Sequence, residues 1–163
     1  MRALYIFPLM AALFAGCSAG QDDTPFITTA AMNADLKASN EAFLVANGKR
    51  DGVTTTSDGL EYKVIKSGAG ATPKAANTVT VHYEGKLIDG TVFDSSIQRD
   101  VPASFPVTGV IPGWVEALQL MKVGDTWQLA IPAALAYGDK SPSPQIPAGS
   151  TLVFQVQLIS IDK

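Results

Sequence analysis

The chain has 163 residues, with 12 Lys+Arg against 15 Asp+Glu and a formal net charge of −3. Apolar residues make up 47% and charged residues 17%, a balance that excludes an intrinsically disordered chain and, being slightly acidic, the basic footprint of a nucleic-acid binder. One Cys and one His exclude a disulfide framework and any Cys- or His-rich metal cluster.

One cation, Arg2, precedes an uncharged run from Ala3 to Gly16 that Pro8 interrupts. The run is short of the roughly 20 residues that span a bilayer as a helix. A charged start, an apolar middle and small residues before a break predict a signal peptide over residues 1–16. Leu13-Phe14-Ala15-Gly16-Cys17 resembles a bacterial lipobox, with Phe14 where that motif usually has Leu. The resemblance implies lipidation of Cys17. Ser18 follows instead of the Asp of an inner-membrane retention signal, which implies a lipoprotein of the bacterial cell envelope, anchored in the outer membrane and facing the periplasm. Plain secretion with cleavage nearby is the alternative. Each buried CH₂ contributes about 0.8 kcal/mol and stable attachment takes more than one acyl chain, which a diacylglyceryl Cys with an N-acyl chain provides.

Residues 17–29 are small, polar and Pro-containing and predict a lipid-anchored linker. From Ala30 to Asn47 the composition favours a helix, with Met32, Leu36 and Phe43 near one face and Asn47-Gly48 as its C-terminal cap. Such a helix either dimerises or docks, or merely packs on or spaces out the domain downstream of it. About 18 residues make only about 27 Å of helix with no sustained heptad, which favours the second reading and a monomer or weak dimer. Lys49 to Asp58 reads as a polar connector that closes a 30–58 unit.

Residues 59–163 read as one β-rich domain. Leu60–Lys66 is a short strand; Thr78–Leu87 alternates, with Val79, Val81 and Tyr83 on one face and His82, a structural residue, on the other. Asp89-Gly90 signals a hairpin turn before Thr91–Asp94, and Ser104–Val107 is a strand weakened by Pro106. Trp114, Leu118 and Met121 fall at helical spacing, Thr126–Ile131 is a strand, Pro132–Gly149 a long loop and Thr151–Ile161 a final strand. Strands with one short helix and no βαβ alternation predict an α+β fold with an antiparallel sheet packed on that helix. There is no Gly-rich phosphate loop, and the lone mid-strand His gives a hydrolase triad no support.

VHYEGKLIDGTVFDSS (Val81 to Ser96), VIPGWVEALQLMKVGD (Val110 to Asp125), IPAALAYG (Ile131 to Gly138) and IPAGSTLVFQVQL (Ile146 to Leu158) resemble the FKBP-type peptidyl-prolyl cis-trans isomerases. The match runs from about Leu60 to Lys163 in the family's order. The piece upstream resembles the junction of the macrophage infectivity potentiator-like branch, whose members carry a longer dimerising helical arm. The resemblance implies a twisted antiparallel sheet, a half-barrel, wrapped around one short helix and preceded here by a shortened N-terminal helix. It implies a pocket floored by Trp114 and walled by Tyr83, Phe93, Val110, Ile111, Tyr137 and Phe154, with Asp94 as its carboxylate. Asp94 and Tyr137 are the implied catalytic groups: Asp94 interacts with the twisted amide or only orients Tyr83 and Arg99, while the Tyr137 hydroxyl and the Ile111 N–H hold substrate carbonyls. Implied partners are proline-containing polypeptides, macrolide inhibitors and, through the anchor, a membrane; no metal or cofactor is called for. Ala103 stands where the family often has an aromatic ring, and the segment before Val110 is slightly shorter, which implies an opened wall. A non-catalytic lipid-anchored chaperone or binding module using the same groove is the alternative function.

Overall fold

The structure is a computed structural model and describes residues 28–162. The stretch read as a signal peptide, Cys17 and most of the stretch read as a linker therefore lie outside the described residues. Helix α1 (Thr29–Gly48) starts one residue earlier than its composition suggests, because Thr28 is its N-cap: Thr28 Oγ1 accepts from Ala31 N at 3.3 Å.

Seven strands come after it: β1 (Val53–Thr55), β2 (Glu61–Lys66), β3 (Thr78–Leu87), β4 (Val92–Ser95), β5 (Ala103–Pro106), β6 (Thr126–Ile131) and β7 (Leu152–Asp162). All pairings are antiparallel, in the order β1-β2-β6-β7-β3-β4. β5 lies off this path on the edge of β3, so β3 shares that edge between β5, opposite Thr78–Val81, and β4, opposite Glu84–Lys86. β1 corrects the reading of residues 49–58 as a connector. Three largely exposed residues carry no periodicity to detect; the strand exists because its backbone pairs with Glu61, Tyr62 and Lys63.

The alternation in β3 turns one face inward: Val79, Val81 and Tyr83 are buried, as are Leu152, Phe154, Val156 and Leu158 of β7. Helix α2 (Pro112–Leu120) crosses this face and buries Trp114, Ala117 and Leu118 against it. Burying a large apolar side chain contributes about 1.5–3 kcal/mol. Pro112 opens the helix at a position whose N–H has no intrahelical acceptor anyway. Gly113 presses its backbone on β6, where a Cβ would meet Ile131 Cγ2 at 2.5 Å.

α1 packs on the β-rich part. Asn47 Nδ2 donates to the buried Glu61 Oε2 of β2 at 2.7 Å, and Asn40 Nδ2 donates to the Gly149 carbonyl at 2.9 Å. Among the described residues no helix is long and apolar enough to cross a membrane.

Candidate active site

Between α2 and the sheet lies a cavity of about 420 Å³ lined by Tyr83, Phe93, Asp94, Phe105, Gly109, Val110, Ile111, Trp114, Tyr137 and Phe154. Every pocket residue implied by the sequence resemblance lines it. The strand period explains the assembly: Tyr83 and Phe154 are inward positions of β3 and β7, paired at Tyr83–Val156 and Gly85–Phe154, while Phe93 and Asp94 arrive on β4. Val110 and Ile111 link the 3₁₀ turn Val107–Gly109 to α2, and Tyr137 stands on the Pro132–Gly149 loop.

Trp114, only 4% exposed, forms one side of the cavity. Three rings stand nearly perpendicular to it: Tyr83 at 5.5 Å and 84°, Phe105 at 6.0 Å and 87°, Phe154 at 5.3 Å and 84°. Edge-on contacts of this kind suit the quadrupoles of the rings, and they raise walls around an indole plate. The indole Nε1 is buried with no acceptor among the described residues. The Ile111 N–H, just ahead of α2, likewise meets no protein acceptor among them.

The polar side of the cavity is one linked set. The Tyr83 hydroxyl donates to Asp94 Oδ2 and Arg99 Nη1 to Asp94 Oδ1, while Arg99 Nη2 reaches the Tyr83 oxygen at 3.3 Å. Both carboxylate oxygens are thus engaged. Burial alone would raise the Asp94 pKa; the hydrogen bonds from Tyr83 and Arg99, with the guanidinium charge, outweigh it and hold Asp94 below the usual carboxylate value. Burial, then the bond to Asp94, pushes the Tyr83 phenol above its ordinary value. Asp94 therefore stays a carboxylate and Tyr83 a phenol across the neutral range.

Four residues of the site or its support escaped the sequence reading. Phe105 shares a strand face with Ala103, which is not among the lining residues, and supplies a ring on the wall that Ala103 was expected to leave open; the two-residue period of the strand was the available signal. Gly109 lines the cavity at the 3₁₀ turn. Ser96 is fully buried and clamps the backbone of Tyr83: its Oγ accepts from Tyr83 N at 2.7 Å and its N–H donates to Tyr83 O at 2.9 Å. His82 Nδ1 joins the same hydroxyl at 3.1 Å. Gly85 makes room for two rings, since a Cβ there would lie 2.6 Å from both Phe154 Cε1 and Phe93 Cζ. Among the described residues no group of three or more His, Cys, Asp or Glu could hold a metal ion.

Residues 70–159 match the family described as FKBP-type peptidyl-prolyl cis-trans isomerase. The chain belongs to this family. Residues 13–64 match the domain amino terminal to FKBP-type peptidyl-prolyl isomerases, so in FKBP terms α1 and β1 fall within that amino-terminal part. The chain is 54% identical over 126 residues to the FKBP-type 22 kDa peptidyl-prolyl cis-trans isomerase of Escherichia coli, covering 77% of this chain and 61% of that protein. It is 51% identical over 127 residues to the outer membrane protein MIP of Legionella longbeachae, covering 78% of this chain and 54% of that protein. It therefore spans less than two thirds of these curated relatives. Among solved structures, the FkpA crystal structure from Escherichia coli superposes with a TM-score of 0.77 at 45% identity, covering 80% of this chain and 61% of that one. A peptidyl-prolyl cis-trans isomerase from Pseudomonas syringae superposes with a TM-score of 0.75 at 37% identity, covering 83% of this chain and 99% of that one. The FKBP fold of this chain is thus the α+β half-barrel that its motifs implied.

Proposed function

We propose that this FKBP is a working peptidyl-prolyl cis-trans isomerase that binds X-Pro segments of polypeptides of the cell envelope in the cavity beside Trp114. The observation that carries the reading is the hollow itself: open space of about 420 Å³ against a buried indole, walled by rings set perpendicular to it. Had the rings filled that space, they would be core and nothing more.

The chemistry needs few polar groups. Rotation about an X-Pro bond faces a barrier of about 18–20 kcal/mol because resonance gives the C–N bond double-bond character. The resonance form is the polar one, and water bonded to the carbonyl stabilises it. At the twisted transition state conjugation is lost, so a dry aromatic cavity raises the planar state more than the twisted one. Losing a carbonyl–water hydrogen bond is worth about 1–3 kcal/mol, whereas a thousandfold acceleration needs about 4 kcal/mol. Selection for the shape of the twisted amide supplies the remainder.

In this reading Trp114 stacks against the proline ring, and Phe93, Val110 and Phe154 exclude water. The free Ile111 N–H and the Tyr137 hydroxyl hold substrate carbonyls. Asp94 fixes Tyr83 and Arg99 and presents their joint polar edge to the twisted amide. The envelope location and the Cys17 anchor rest on the lipobox resemblance, and a relative named as an outer membrane protein supports them; the mass of the mature N-terminus tests them.

A protease-coupled assay on a short X-Pro peptide tests the activity. Turnover that rapamycin suppresses, and that falls at least about tenfold in Trp114→Leu, an effect of about 1.4 kcal/mol on the barrier, is expected. Absence of both turnover and inhibition would make the groove a binding module instead.

A further inference from the structure

Gly149 closes the neck of the loop that carries Tyr137. Its N–H donates to the Gly138 carbonyl at 2.8 Å, and both glycines hold left-handed backbone, φ +77° and +59°, which residues with a Cβ rarely adopt. Gly138 directly follows Tyr137, whose side chain lines the cavity. The Gly149 carbonyl is engaged from far along the chain, by Asn40 Nδ2 at 2.9 Å. Both polar groups of this one glycine are thus tied, one to the residue after Tyr137 and one to α1.

Asn40 is 4% exposed and is the buried residue of α1. Beside this bond the helix and the loop stand apart: Asn33 and Lys37 face Asp139 and Ala148 across a cavity of about 480 Å³. Among the described residues no other hydrogen bond joins α1 to the loop. The amide also leaves its Oδ1 buried and unpaired. A half-satisfied buried amide is a poor means of sticking a helix to a loop, because an apolar side chain would avoid desolvating the oxygen. What the amide provides, and an apolar residue cannot, is a directed bond to one backbone atom.

We infer that Asn40 is a positioning residue for the cavity: it fixes the Gly149–Gly138 neck and thereby the stance of Tyr137 at the cavity wall. The inference rests on the proposed isomerase reading, in which Tyr137 touches substrate. It places part of the control of the site in α1, outside the segment that carries the cavity.

The full chain is compared with Asn40→Ala and Asn40→Asp, each alone and combined with Tyr137→Ala. Asn40→Ala removes the donor outright, and Asn40→Asp keeps the shape and, when ionised, offers only acceptors. kcat/KM on the X-Pro peptide falls about five- to tenfold, the worth of one hydrogen bond. That loss disappears when Tyr137 is already Ala, the signature of coupling and not of general damage. Amide exchange at Gly149 in the ligand-free chain accelerates. Equal losses in both backgrounds, or accelerated exchange with undiminished turnover, overturn the inference. If the unsubstituted chain shows no turnover, the isomerase reading fails on its own, and exchange at Gly149 then decides the brace: unchanged in Asn40→Ala, the brace fails too.

Discussion

Asp94 is held by two donors that differ in kind, a phenol and a guanidinium. Its pKa in the folded chain lies below the ordinary carboxylate value, so ionisation stabilises the folded state. That contribution is present above the unfolded pKa of about 3.9 and is lost as pH falls through the lower folded value. Asn at this position cannot titrate. Urea midpoints of wild type and Asp94→Asn therefore differ at pH 5–8 and converge below about pH 4; a gap that persists undiminished to the lowest pH would contradict the depressed value. Tyr83 has the opposite sign, since its raised pKa gives a contribution present below about pH 10 and lost as pH rises beyond it. At this scale the sequence discloses what points inward. Tyr83, Phe93 and Phe154 sit at readable strand positions, and Trp114 lies in the first turn of a helix whose spacing is readable. Ser96 and Gly85 stayed hidden because they act through a backbone clamp and through missing volume, neither of which leaves a periodic trace.

Among the elements, β3 carries the most. Its ten residues pair with β7 along one edge and with β4 and β5 along the other, and its register with β4 shifts between Gly85 and Lys86. Gly85 sits at that shift, opposite Phe154 on one side and Asp94 on the other. In Gly85→Ala the new methyl must displace two rings of the cavity, so stability falls by about 1–3 kcal/mol as in other overpacked cores, read from denaturant midpoints. KM for the X-Pro peptide rises at the same time; unaltered stability and KM would show that the rings yield freely. The alternation of β3 gives its bounds without error, Thr78 to Leu87, and the sequence gives those of β6, Thr126 to Ile131, equally well. β1 is the one it misses, because a three-residue edge strand is specified by its neighbour and not by its own pattern. The α1 boundaries were legible from composition to within one residue at each end, but the C-terminal cap is Lys49 and not Asn47-Gly48, because Gly48 keeps helical backbone. The attachment through Asn40 and Asn47 was not legible, since a buried Asn looks in sequence like any solvated one.

Across the whole molecule the sheet joins distant parts of the chain. β2 pairs with β6 and β3 with β7, so the central pairings close long loops before they gain contacts. Topologies of this kind fold in about milliseconds to seconds, and stopped-flow tryptophan fluorescence should find refolding in that range; completion within microseconds would contradict the pairing order. Global architecture was legible because strands without βαβ alternation leave few ways to cover one short helix, and the co-linear motifs supplied the rest. The order β1-β2-β6-β7-β3-β4 was not, since nothing in a strand names its neighbour.

The upright rings around Trp114 have one more corollary. A chamber of flat hydrocarbon plates offers few handles with which to tell one flanking side chain from another. Under the proposed activity it recognises the imino ring and ignores most of the text around it, so one copy can serve a crowd of unrelated clients, and any preference among them must be written outside the chamber.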